Sequence, residues 1–166
     1  MPHCITALIL REPCDEHAAR EWDVAAVPLR GGLRLVHIDH YYTAYWQARR
    51  GETGTLDVPS DFPGVFPRER VVASLVTDLA GTARDALPPF ALVMTDYFGG
   101  LGEQWARAYL RGEAVPSVRD INAALRVLGV EAAAGLDEFD TVGLADHRHP
   151  PDHLDRYPDL CDELGV

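Results

Sequence analysis

Two histidine-carboxylate stretches hold the residues best suited to chemistry in this chain. One is His37-Ile38-Asp39-His40; the other is Asp146-His147-Arg148-His149, with Asp152 and His153 just beyond. In an extended segment, residues two apart point to one side, so His37 and Asp39 would share a face, as would His147 and His149. Imidazole nitrogens beside a carboxylate oxygen are donors for zinc, manganese or iron, and a metal-activated water would make the site a hydrolase. His37, Asp39, His147 and His149 are therefore candidate ligands for a divalent transition metal. The spacing matches no His-Glu-x-x-His pattern, and seven histidines in one chain produce such pairs without any metal.

A second candidate is Asp96-Tyr97-Phe98-Gly99-Gly100-Leu101-Gly102-Glu103. Three glycines within four positions suit a tight turn or a close backbone approach. Such a turn can form a nest of N–H groups for an anion, and Asp96 and Glu103 could work as paired carboxylates. The glycines fall out of register with Gly-x-Gly-x-x-Gly, and the flanking acids oppose an anion, so a structural turn is the plainer reading. Nucleophilic catalysis has less support. Ser60, Ser74 and Ser117 are the only serines, and none sits in Gly-x-Ser-x-Gly. Cys4, Cys14 and Cys161 lack Cys-x-x-Cys spacing and cannot all pair, which points to free thiols.

Charge separates the function classes more sharply. The chain carries a net −11, and every basic residue other than histidine is arginine. Without lysine there is no Schiff-base amine and no P-loop ammonium. Heavy alanine and arginine use without lysine suggests a GC-rich bacterial genome. Residues 131–166 hold ten acids against Arg148 and Arg156, a local net of −8 that leaves −3 for residues 1–130. A field of that sign repels nucleic acid and anionic membrane, and it favours a basic protein partner. Asp137, Glu138, Asp140 and Asp146, with Asp152 and Asp155, are the candidate contacts.

The elements that must position these residues are legible in outline. Residues 4–10 form an apolar run that reads as a buried strand, and Asp15 can cap a short helix through Trp22. Val24–Leu29 and Leu33–Ile38 flank Arg30-Gly31-Gly32 as a β-hairpin, with Pro28 placing the first arm at an edge. In the second arm, Leu33, Leu35 and His37 oppose Arg34, Val36 and Ile38. The run from Tyr41 to Gln47 begins a helix with Tyr42, Tyr45 and Trp46 on one face. Residues 51–64 read as a loop. Pro67–Leu87 has the strongest helical pattern, with Val71, Leu75, Val76 and Leu79 as its stripe. Residues 90–98 are a strand, and residues 104–110 lean towards a returning antiparallel strand. Ser117 can cap a helix over Val118–Leu128, stopped by Gly129. One more turn fits within Gly135–Leu144, and a short helix fits Asp152–Leu164. At 166 residues the sum is a single α+β domain: a mainly antiparallel sheet with helices packed on it, and an acidic C-terminal segment from about residue 131.

Three stretches resemble, as a set, a group of small bacterial proteins without an assigned activity. They are Tyr97 to Gln104, Ile121 to Val130, and Asp137 to Leu144 followed by His147-Arg148-His149. The shared mark is a Tyr-Phe-Gly-Gly-x-Gly-x-Gln turn, and the likeness covers residues 90–149. It implies that the glycine turn closes a hairpin.

The leading expectation is a non-catalytic interaction protein of the immunity type, without a cofactor, whose acidic surface receives a basic toxin or similar partner. Asp96, Tyr97, Phe98, Gly99, Gly100, Gly102 and Glu103 join the acidic residues as candidate binding residues. The alternative is a small metal-dependent hydrolase. No apolar run reaches the roughly 20 residues of a membrane span, and the N-terminus lacks a basic signal region, so the expected compartment is the cytoplasm.

Overall fold

The computed structural model describes residues 2–166. Six strands form one sheet: β1 His3–Arg11, β2 Val27–Leu29, β3 Leu33–His37, β4 Phe90–Phe98, β5 Leu101–Leu110 and β6 Glu113–Ala114. Their order is β2-β3-β1-β4-β5-β6, and every neighbouring pair is antiparallel. The helices are α1 Glu16–Glu21, α2 His40–Arg50, α3 Val71–Ala80, α4 Ile121–Val127, α5 Glu138–Val142 and α6 Tyr157–Leu164. None is long and apolar enough to cross a membrane, among the described residues.

The central strands read as continuous apolar runs because the sheet is covered on both faces. Leu8 and Leu10 of β1, Val36 of β3, Phe90 and Leu92 of β4, and Tyr109 of β5 pack with residues of α1, α2 and α3 and with Leu154 and Tyr157. The opposite set, including Ile5, Ala7, Ile9, Leu33, Leu35, Val93 and Ala106, packs with Ile121, Ala124 and Leu125 of α4, Val142 of α5, and Leu144. The edge position of Pro28 is realised, since β2 ends the sheet and spares a ladder donor. Residues 104–110 lie in β5, with Trp105 and Tyr109 packed on one core and Ala106 and Ala108 in the other.

Local competition moved two helix starts. The segment before α3 does not join it, because Thr55 bridges Glu69 and Leu56 N–H bonds Arg68 O. That helix ends where Gly81 adopts φ +67, so it runs ten residues rather than the length from Pro67 to Leu87. For α4 the cap is Asp120, which accepts from Ala123 N–H, and not Ser117. Residues 118–119 are held back by bonds from Val118 N–H to Val115 O and from Ala106 N–H to Arg119 O. Arg107 is a charged residue inside the core, 4% exposed. Its guanidinium donates to the carbonyls of Asp57 and Val118 and pairs with the Asp57 carboxylate at 3.4 Å.

Candidate functional site

The β4–β5 turn is a two-residue hairpin, with Phe98 paired to Leu101 and Gly99 and Gly100 at φ +61 and +79. Positive φ at both central residues is the type I′ geometry that suits the twist of the strands. The remaining glycine has a different reason. Gly102 stands opposite Tyr97, and a Cβ there would lie 2.4 Å from Asp96 O and 2.6 Å from Tyr97 Cα and Cδ1. Hydrogen is thus the only side chain that lets the Tyr97 ring lie across this position. The phenol then accepts from Gln104 Nε2 at 2.9 Å, while Gln104 Oε1 accepts from Ile121 N–H at 2.8 Å. The Tyr-Phe-Gly-Gly-x-Gly-x-Gln pattern is therefore a brace: it turns the chain, seats a ring on glycine and ties the hairpin to the start of α4.

Beneath the hairpin, on the α4 and α5 side of the sheet, lies a cleft of about 530 Å³. Tyr97, Phe98 and Gly100 line it together with Asp137 and Asp140, which come from a distant part of the sequence. Its other wall is built by reciprocal bonds between the two helices. Asn122 donates to Asp137 Oδ2 at 3.2 Å and accepts from Phe139 N–H at 2.9 Å, while Asp137 Oδ1 caps α5 through Asp140 N–H at 2.8 Å. His3 forms part of the floor. Its Nε2 faces Leu144 O at 3.0 Å and its Nδ1 faces Thr95 Oγ1 at 2.8 Å. A carbonyl only accepts, so Nε2 carries a proton directed at Leu144 O, while Nδ1 is hydrogen-bonded to the threonine hydroxyl, which itself accepts from Ile5 N–H. Both nitrogens of the ring most suited to acid–base work are engaged. Tyr97, Gln104, Asn122 and Asp137 are hydrogen-bonded as well, so the polar groups of the cleft wall are held in place by the fold.

Above the cleft the hairpin stem presents a different surface. Asp96 and Glu103 form a directly opposed pair, both exposed. Phe98 and Leu101 at the tip are 74% and 81% exposed, far more than any other large apolar residue described. The aromatic residues from Tyr41 to Trp46 serve differently from Phe98. Tyr42 is buried, Tyr45 and Trp46 pack against the core, and Tyr42 and Tyr45 meet Tyr157 edge-on at 5.0 and 5.4 Å.

The remaining candidates are dispersed. Glu138 is turned inward, 8% exposed, and receives a 2.8 Å hydrogen bond from Arg126 that holds its carboxyl below the ordinary value. Asp146 is exposed and faces Arg30 at 4.0 Å. His37 and Asp39 do not share a strand face, because β3 ends at His37 and Asp39 is the N-cap of α2. Its carboxylate accepts Tyr42 N–H at 2.8 Å, the pull that an orphan helix donor exerts on an aspartate. His147 is half-buried and His149 exposed. Among the described residues no three His, Cys, Asp or Glu side chains are placed to hold one metal ion.

Sequence reasoning found the turn and the acids but not His3, Asn122 or Phe139. His3 shares its side of β1 with Ile5, Ala7 and Ile9, and only the register with Tyr97 brings it to the cleft. No family model, no curated protein and no solved structure matches this chain. The resemblance of residues 90–149 accordingly brings the hairpin and nothing further.

Proposed function

We propose that this chain is a non-catalytic binding protein for a basic protein partner, and most concretely an immunity-type inhibitor that covers the basic cleft of a toxin. The observation that carries the reading is the hairpin tip. Phe98 and Leu101 stand out at 74% and 81% exposure, directly beside the exposed carboxylates of Asp96 and Glu103. Leaving two large apolar side chains in water is unfavourable, and their burial against a partner supplies the anchor of an interface. The acids around them supply the long-range attraction that speeds encounter with a cation-rich surface. Asp140, exposed on the cleft wall opposite Tyr97, is a further acid near the hairpin.

The test takes as titrant a basic protein encoded beside this gene, and a neighbourhood without one would itself count against the reading. Wild-type protein should bind it and suppress its activity. Asp96→Arg, Glu103→Arg and Asp140→Arg combined should slow association by about 10- to 100-fold at low ionic strength, and added salt should shrink the difference. Affinity and association rate unchanged by all three reversals would remove the reading.

A further inference from the structure

The segment after α5 crosses the end of the sheet from one helical layer to the other. On the α4 and α5 side, Leu144 O accepts from His3 Nε2, and Arg148 O then accepts from Cys4 N–H at 2.9 Å. On the far side, Leu154 and Tyr157 are buried in the core of α2 and α3. Residues 144–156 are thus a strap laid over the start of β1 and the end of β3. Five of the seven histidines lie along this seam: His3 and His37 from the sheet, and His147, His149 and His153 from the strap.

A cavity of about 250 Å³ separates the two sides, lined by Val27, His37, His149, Pro151 and His153. Among the described residues, His37 Nδ1 and His153 Nε2 are buried without a hydrogen-bond partner. A neutral imidazole tolerates this, since one nitrogen carries no proton. An imidazolium must donate from both nitrogens, and neither of these has an acceptor. Burial, followed by His147, His153 and His3, pushes His37 down to about 4. The other charged groups nearby offer the ring no counter-ion in the fold. Asp39 is turned to Tyr42 N–H, Asp146 faces Arg30, and Asp23 holds Arg156 and Tyr157. Asp152 and Asp155 are exposed on the strap.

We propose that the strap is an acid-opened latch: a proton taken up by His37 leaves a buried imidazolium without an acceptor at the seam, and residues 144–156 lift from the sheet end. Opening gives the imidazolium N–H groups water as acceptor. It also takes Ala145 and Arg148 out of the wall of the hairpin cleft, so the cleft is intact only when the strap is down. The device stands on the fold alone and holds whatever the cleft binds.

The experiment is hydrogen exchange of the whole purified protein at about pH 7.5 and about pH 5, on either side of the ordinary histidine value. Each amide is referred to unfolded chain at the same pH, and circular dichroism is recorded in parallel. Protection of residues 144–156 should fall about tenfold or more on acidification while residues 7–9 and 91–93 keep theirs. His37→Phe and, separately, His37→Leu should cut that loss to about threefold or less, because the sheet side of the cavity then holds no imidazole to protonate. Equal strap protection at both pH values would overturn the latch. So would a loss shared by the central strands, or an unchanged loss in both variants.

Discussion

Replacing Gly102 with alanine tests the brace at its tightest point. The new Cβ would sit 2.4 Å from Asp96 O and 2.6 Å from Tyr97 Cα, and both atoms belong to the paired strand. Backbone cannot swing aside as the end of a long side chain can, so the two strands must separate locally. Forcing a methyl into a filled space costs about 1–3 kcal/mol. Separation also displaces the Tyr97 ring and strains the bonds from Gln104 to Tyr97 and Ile121, worth about 1 kcal/mol each. A total of about 2–4 kcal/mol should lower the melting temperature by about 5–15 °C in a domain of this size. Gly99→Ala is the control. It has nothing within 4 Å of the added carbon and carries only the strain of φ +61, about 1–2 kcal/mol. Urea unfolding followed by circular dichroism measures both, with the Gln104 side-chain amide resonances reporting the local bonds. If Gly102→Ala is no more destabilising than Gly99→Ala, or leaves those resonances in place, the brace is refuted.

Two further outcomes follow from charged groups in the fold. Arg107→Ala removes a core guanidinium whose carbonyl partners, Asp57 and Val118, lose a charged donor. A destabilisation of about 3 kcal/mol is expected by urea titration, and less than about 1 kcal/mol would show that the contacts are incidental. Glu138→Gln should flatten the acid limb of stability. Arg126 holds the Glu138 carboxyl below its ordinary 4.5, so its contribution is present above that value and disappears as pH falls through the lower folded value. Melting temperatures between about pH 5 and about pH 3 should therefore fall more steeply in wild type than in the variant; parallel slopes would contradict the assignment.

Much of the fold was legible because two signals agreed over most of its length. The apolar runs at residues 4–10 and 90–98 marked central strands, and Arg30-Gly31-Gly32 marked the first hairpin. The alternation of Trp105, Arg107 and Tyr109 with Ala106 and Ala108 marked β5. Misplaced helix starts came from tertiary competition invisible to periodicity: the Thr55–Glu69 bridge before α3 and the Ala106–Arg119 bond before α4. Extended geometry over the whole histidine-carboxylate motif would pair His37 with Asp39, whereas Asp39 caps the start of α2. The candidate site was half legible. Composition identified the glycines and the acids, but the strand register that sets His3 beside Tyr97, and the helix pairing that sets Asn122 beside Asp137, require contacts across 94 and 15 positions. Glu138 shows the converse, an acid that composition assigned to the surface and that Arg126 holds inward.

The most direct measurement of the central claim is a calorimetric titration of the basic neighbouring-gene product into wild type and into Phe98→Ser/Leu101→Ser. Both substitutions fall on solvent-facing residues, so the double variant should keep the wild-type melting temperature within about 2 °C. Binding should weaken by about 100-fold or more, as loss of two apolar anchors from the centre of an interface requires. Equal affinity for the two proteins, with the variant folded, would contradict the assignment of the hairpin as the binding element.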